Sequence, residues 1–312
     1  MTDVLVGKTF TWEQKSITFC KNNIVVTPWI NGTYTWLDNK TVQATWYNIL
    51  HTLTFNDNFT EFISICEPTK SKVEGKLVKI HSDSKIVSLH IDYKNSSSEL
   101  CMLGQKYNID KSSQRENPGP NDSNHCHPYS LLYHSLFKNN RNDNLNFCEI
   151  GIAEGRSLLM WEEYFPNAQI YGFERWPKWL ANWTSNYADK KRVHVNYINV
   201  LSNDEIINPM QKTGVKFDCI IDDSTHNFLD MIRIIKLSMN FLNDGGMIII
   251  EDIQKAFDES WFYNELSDIL DQFAKVFFVD LEHDRRNSGM VNNDKVLILI
   301  KKGESVFDFN LV

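Results

Sequence analysis

The chain has 312 residues, 42% of them hydrophobic and 12% aromatic, and a formal net charge of −8. That length and apolar content allow two folded domains, while no run of about 18 apolar residues exists to cross a membrane as a helix. The acidic balance argues against nucleic acid as a partner, since Lys190-Lys191-Arg192 and Arg285-Arg286 are short clusters better read as solvated loop charges.

The six cysteines form no close pair, and Cys148 and Cys219 fall inside apolar runs, a usage that suits reduced thiols. The start, MTDVLVGKTFTWEQ, has neither a basic n-region nor an apolar h-region. A cytoplasmic location without a signal peptide is therefore expected.

Residues from about 5 to 100 read as short β-runs, among them Thr9-Phe10-Thr11-Trp12, Thr33-Tyr34-Thr35-Trp36 and Thr41-Val42-Gln43-Ala44-Thr45-Trp46. They are rich in Thr, Val and aromatics and are separated by Asn, Gly and Asp turns, which predicts a small antiparallel barrel or sandwich over 1–100. Its tryptophans are expected in the core, although exposed ones could stack on sugars. The spacing of Trp12, Trp36, Trp46 and Phe55-Asn56 resembles that of N-terminal β-modules in large DNA virus proteins. This likeness implies no activity.

Residues 112–124, SSQRENPGPNDSN, are a polar loop, and 101–144 is expected to act as linker and lid, with a short helix over 129–137. From residue 145 onward, strands and helices alternate, which predicts a largely parallel sheet. Strands are expected at 145–150, 168–174, 193–198, 217–222 and 246–251, with helices near 155–164, 177–187, 203–211, 228–242 and 259–272. The apolar runs 276–279 and 296–300 have only a polar loop between them, so they suit an antiparallel pair near the C-terminus.

The run Asn146-Phe147-Cys148-Glu149-Ile150-Gly151 is a strand entering a glycine turn, and Gly155 precedes the next helix. Such a turn lets a ligand approach the backbone, and the free N–H groups of a helix start favour an anionic group. Glu174 ends the following strand, where an acid can accept hydrogen bonds from ribose hydroxyls. A turn whose glycines serve only packing is the alternative. Two further strand ends carry Asp222-Asp223-Ser224-Thr225-His226 and Glu251-Asp252. In an open α/β sheet all three acidic clusters meet in one crevice. Asp223, Glu251 and Asp252 could hold a hard divalent cation such as Mg²⁺, and His226 could take a substrate proton with its ordinary pKa near 6.5. Helix capping by the acids, with His226 a surface residue, is the competing reading. Asp222 is expected to turn towards the cofactor or a helix start. Trp176, Trp179 and Trp183 share one helical face and could wall an adenine, with at least two of them expected in the core.

The spacing Glu149-x-Gly151-x-x-x-Gly155 resembles the first motif of class I S-adenosylmethionine-dependent methyltransferases. Taken with Gly104-x-Lys106-Tyr107-x-x-Asp110-Lys111-Ser112, His127-x-Tyr129, Ile221-Asp222-Asp223-x-x-His226 and Ile250-Glu251-Asp252, it is similar to the metal-dependent O-methyltransferases of macrolide sugars and related glycans. That resemblance implies a Rossmann-like methyltransferase domain over 145–312. It implies cofactor contacts at Glu149, Gly151, Gly155, Ser157, Glu174 and Asp222, and Mg²⁺ held by Asp223, Glu251 and Asp252. His226 would be the base, and 107–129 a lid. Glu174 stands where Asp is more usual, and the acidic adenine contact is missing around Asn199-Val200-Leu201-Ser202. The implied reaction is methyl transfer to a sugar hydroxyl of a small-molecule or glycan acceptor, and a homo-oligomer is compatible with it. A catechol-type O-methyltransferase and a glycan-binding protein with an inactive methyltransferase domain are the rival readings.

Overall fold

The computed structural model describes all residues except 1–3, 14, 21, 22, 28–31, 81–86, 117–124, 288–291, 310 and 312. It divides into two compact units, Met1–Lys85 and Ile86–Val312.

The first unit is a closed antiparallel barrel of eight strands in chain order, with the last strand pairing back to the first. The strands are β1 (Lys8–Trp12), β2 (Lys15–Cys20), β3 (Ile24–Val26), β4 (Gly32–Trp36), β5 (Thr41–Trp46), β6 (Ile49–Phe55), β7 (Glu61–Cys66) and β8 (Lys72–Ile80). Residues alternate inward and outward with period two, so Val42, Ala44 and Trp46 of β5 face in, as do Phe62, Ser64 and Cys66 of β7. Phe10, Phe19, Phe55 and Phe62 meet edge to face with ring centroids 5.4 to 5.9 Å apart and close most of the interior. Gly75 lies opposite Phe62, and a Cβ there would come within 2.2 Å of the ring, so the glycine makes room for the aromatic. Trp12 and Trp46 are buried, as expected, and Trp36 is half-buried.

The second unit is an eight-stranded sheet flanked by helices. Five strands run parallel: β10 (Asn146–Ile150), β11 (Gln169–Glu174), β12 (Val193–Tyr197), β13 (Phe217–Asp222) and β14 (Leu242–Ile253). Between β14 and β15 (Phe273–Glu282) lies β16 (Lys295–Lys301), antiparallel to both. The strand order β12-β11-β10-β13-β14-β16-β15 is the Rossmann-like sheet with an antiparallel strand that the alternating pattern called for. Buried on both faces, β16 and the Met247-Ile248-Ile249-Ile250 stretch of β14 read as continuous apolar runs.

Two features of this unit differ from expectation. A strand β9 (Val87–Asp92) pairs parallel with β15 at the sheet edge, so the sheet reaches back ahead of the boundary expected at residue 100. The stretch expected as linker and lid supplies α1 (Glu99–Lys106) and α2 (Tyr129–Phe137). From α2, Leu132, Tyr133, Leu136 and Phe137 are fully buried in the same core as Phe147, Trp161 and Phe165. Most of the polar loop predicted at 112–124 lies outside the described residues. The helix expected over 259–272 is shorter, with α7 (Ser260–Glu265) followed by a single turn at Leu270–Gln272. The remaining helices are α3 (Arg156–Tyr164), α4 (Pro177–Tyr187), α5 (Asn203–Lys212) and α6 (Phe228–Ser238).

The pairing of β9 makes truncation informative. A chain starting at residue 86 should keep one cooperative thermal transition. One starting at residue 100 exposes the backbone edge of β15, and should melt earlier and aggregate when scanned by calorimetry and light scattering.

Candidate active site

The site is built where β10, β11, β13 and β14 end. After β10 the chain turns at Gly151 with φ +88°, and a Cβ there would lie 2.1 Å from the Asp223 carbonyl oxygen. Only glycine lets these two strand ends meet so closely. Gly155, with φ +81°, opens α3, and its missing side chain leaves space for Trp183. Glu149 is fully buried below the turn and accepts from the Trp161 indole N–H at 2.8 Å. Glu174 accepts main-chain N–H groups of Ala153 and Trp176, each at 2.8 Å. A carboxylate has about four acceptor positions, so Glu174 keeps capacity for further donors.

A cavity of about 230 Å³ opens over these strand ends, lined by Gly151, Ala153, Glu174, Trp176, Trp179 and Val200 among others. A neighbouring space of about 340 Å³ shares Gly151, Ala153 and Trp179 and adds the polar side chains of Asp110, Arg115, Arg156 and Ser157. Of the three tryptophans at the start of and along α4, only Trp183 is buried. Trp176 is 54% exposed and Trp179 half-buried, against the expectation of two core residues. Glu149, Gly155 and Asp222 do not line either space. Asp222 turns to its own loop and accepts from the Ser224 hydroxyl at 2.6 Å. Burial pushes Asp222 up to about 7 despite that bond.

The two acidic doublets are not helix caps. Asn227 caps α6, accepting from the Leu229 N–H at 3.0 Å, and α7 has no side-chain cap. Instead the acids surround a buried cation. The Lys111 ammonium, 4% exposed, ion-pairs with Asp223, Glu251 and, at 3.4 Å, Glu149. The other oxygen of Glu251 accepts from the Tyr133 hydroxyl, and Asp252 accepts from Tyr129 at 2.6 Å. His127 donates from Nδ1 to Asp294 at 2.8 Å and stacks on Tyr129 with centroids 4.9 Å apart. His127 is therefore a buried support under Asp252, where a lid residue was expected.

His226 completes the cluster, with Nε2 3.1 Å from Asp223 and Nδ1 3.3 Å from Asp252. Burial would depress this imidazole, but the Asp223 hydrogen bond and the charges of Asp223, Asp252 and Asp222 prevail and raise it to about 9. The ordinary value near 6.5 expected for this group is thus corrected. In this arrangement His226 carries its proton at neutral pH. Burial alone would raise Asp223, but Lys111 and His226 outweigh it and hold the carboxyl at about 2. Glu251 stays well above the usual carboxylate range because burial exceeds the help from Lys111, and burial with the Asp223 charge raises Asp252. His226 (φ 53°) and Asp252 (φ 56°) both sit in the left-handed region, a conformation that persists only where surrounding contacts enforce it.

One ligand atom each from Asp223, His226 and Asp252 lies within 4.8 Å of the others, a spacing that fits a metal ion. Hard oxygen donors suit Mg²⁺, and the excess of carboxylates over lysines gives a second cation a favourable place. Glu251, the third expected ligand, is engaged by Lys111 and Tyr133. The sequence presents Lys111 and Tyr129 only as parts of motifs in a lid segment, and gives Tyr133 no role. The i, i+4 spacing of the two tyrosines on one helix was the available signal, whereas Lys111 meets its partners only through folding.

Residues 148–253 match the family model described as a methyltransferase domain. The second unit carries a methyltransferase domain. Across 139 residues the chain is 27% identical to mycinamicin VI 2''-O-methyltransferase of Micromonospora griseorubida, covering 42% of this chain and 33% of that protein. Over 142 residues it is 25% identical to 8-demethyl-8-alpha-L-rhamnosyl tetracenomycin-C 2'-O-methyltransferase of Streptomyces olivaceus, covering 42% and 34%. The chain therefore spans about a third of the length of these relatives. The MycE methyltransferase of the mycinamycin pathway, solved in complex with Mg and SAH, superposes with a TM-score of 0.48 at 18% identity, over 70% of this chain and 58% of that one. That likeness is too loose to bear on function. The two sequence relatives are bacterial, and neither supports the viral likeness of the first unit. Among the described residues no helix is long and apolar enough to cross a membrane.

Two outcomes follow from the methyltransferase domain's charge arrangement. Lys111→Met removes the ammonium that pairs with Glu149, Asp223 and Glu251, and should cost about 3–5 kcal/mol in denaturant unfolding with chelator present. The loss should shrink as pH falls, because Glu149 and Glu251, both held above their ordinary values by burial, take up protons. For His226, the folded pKa of about 9 lies above the ordinary 6.5, so its stabilising contribution is full below pH 6.5 and disappears as pH rises through 9. His226→Gln should thus melt below the wild type at pH 6 and match it at pH 10. Because the imidazole is 41% exposed, solvent damps the size of the difference.

Proposed function

We propose that the second unit is an S-adenosylmethionine-dependent, divalent-cation-assisted O-methyltransferase acting on a sugar hydroxyl. The observation that carries this reading is the convergence of Asp223, His226 and Asp252 beside a cavity walled by Gly151, Glu174 and Trp179. The names of the sequence relatives support the sugar acceptor.

In this reading the cofactor lies along the strand ends. Gly151 lets it approach the main chain, and Ser157 near the start of α3 faces the space its carboxylate would enter. Glu174 accepts the ribose hydroxyls. Trp176 and Trp179, with Ile198 and Val200, wall the adenine in place of the missing acidic contact. Glu149 and Asp222 hold Lys111 and the Ser224 loop, one step back from the ligand. Asp223 and Asp252 would hold the cation, with Glu251 reaching it where Lys111 yields. When bound, the cation orients the acceptor hydroxyl and lowers its pKa. With Asp223 and Asp252 turned to a cation, His226 would lose the charges that raise it and could accept the hydroxyl proton. Alignment of the two reactants can itself supply roughly 7–11 kcal/mol of the barrier.

The polar lining of the second space, with Asp110, Arg115, Glu154 and Arg156, suits a hydroxyl-rich acceptor better than the flat apolar ring of a catechol. Methylation assays with glycoside and catechol acceptors separate these. Binding of S-adenosylhomocysteine without turnover on either would favour an inactive domain.

Calorimetry with S-adenosylhomocysteine should show Trp179→Ala weakening binding by about 5- to 100-fold, the range for loss of one base–aromatic stack. Unchanged affinity would remove Trp179 from the cofactor site. EDTA should stop turnover and Mg²⁺ restore it. His226→Ala should lower kcat by about 10²–10⁴ while keeping cofactor affinity. Full activity in chelator would refute the cation's role.

A further inference from the structure

The barrel is unevenly filled. Phenylalanines pack most of the interior, but at the end where β5 meets β6 the inward residues include Trp46, His51, Ser64 and Cys66. A cavity of about 380 Å³ remains there. One wall is aromatic. Trp46 and His51 stack with centroids 4.1 Å apart and planes 11° from parallel, and Trp12 meets both edge to face. β7 and β8, which lie between β6 and β1 in the closed ring, add Ser64, Cys66 and Val73 to the lining.

Two polar atoms of this lining have no hydrogen-bond partner among the described residues: His51 Nδ1 and Ser64 Oγ. Ser64 is 1% exposed and His51 8%. Buried polar groups in a folded protein are normally satisfied, so two unpaired ones beside one cavity call for a partner inside it. Burial depresses the His51 imidazole, which leaves it neutral, able to donate at one nitrogen and accept at the other. Barrel mouths commonly take small ligands.

We propose that this end of the barrel is a binding site for one saccharide unit. A sugar ring has an apolar C–H face that packs on aromatic surface and a rim of hydroxyls that both donate and accept. It can therefore cover the Trp12 and Trp46 wall while pairing His51 and Ser64. A purely apolar ring would fill the volume but leave both polar atoms unpaired. The site lies wholly within the first unit and stands whether or not the second unit transfers methyl groups.

The test uses the full chain with ¹⁵N-labelled tryptophan indoles, titrated with the methyl glycosides of rhamnose and glucose. The Trp12 and Trp46 signals are assigned by Trp12→Phe and Trp46→Phe. At least one glycoside should shift both signals in a saturable way. Ser64→Ala should weaken that response about tenfold, as expected for one lost hydrogen bond. Without ligand, Ser64→Ala should melt no lower than the wild type, because it deletes an unpaired buried hydroxyl. This keeps the variant informative about binding. The proposal is overturned if neither glycoside moves the two signals up to its solubility limit, which would mean that water alone fills the cavity. Binding of indole or phenol but of no glycoside would overturn it too, as would equal affinity in Ser64→Ala.

Discussion

The charge balance around Lys111 is the constraint on which the methyltransferase domain depends. Glu149, Asp223 and Glu251 come from the ends of three adjacent strands; Glu149 and Glu251 are buried and Asp223 is partly buried. Carboxylates at that separation in a dry interior repel strongly, and a single ammonium cannot neutralise them. The remaining negative charge appears as a protonated His226 between Asp223 and Asp252, and as carboxyls held above their usual range. The same imbalance makes the cluster a good place for a divalent cation. Stability without a cation and affinity for one thus draw on the same residues.

Sheet geometry explains why those residues meet. In parallel strands every carboxyl end points the same way, so Ile150, Glu174, Asp222 and the Glu251-Asp252 pair emerge on one edge. The glycine at 151 then lets the β10 and β13 ends touch, and the Asp223 N–H donates to the Ile150 carbonyl at 2.9 Å. The tyrosines of α2 reach the cluster from outside the sheet, tying Glu251 and Asp252 to the aromatic core through hydroxyl groups.

Much of this was legible along the chain because it is local. The strand at 217–222, the helix at 177–187, the Gly151 turn and the two acid doublets each announce themselves within a few residues. What was not legible depends on distant partners. Val87-Ser88-Leu89-His90-Ile91-Asp92 alternates like the barrel strands before it, and nothing local says that it joins the other sheet. Along the chain Lys111 is only part of a motif in a lid segment, and its burial follows from acids more than 35 positions away. The pKa of His226 is likewise a property of Asp223 and Asp252 held against it. Trp176 and Trp179 resemble core residues in composition, and only the position of α4 leaves them facing a cavity.

The edge strand β9 has a consequence for how the protein is made. Val87 pairs with Phe277, about 190 residues later, whereas each barrel strand pairs with its neighbour in the chain, apart from the closing β1–β8 contact. On a ribosome adding roughly 5–20 residues per second, β9 waits on the order of ten to forty seconds for β15 to emerge. The barrel has all its strands by then and can fold at once. Over that interval β9 is an unpaired strand beside a finished barrel, which makes it the segment most open to chaperone capture or mispairing during synthesis.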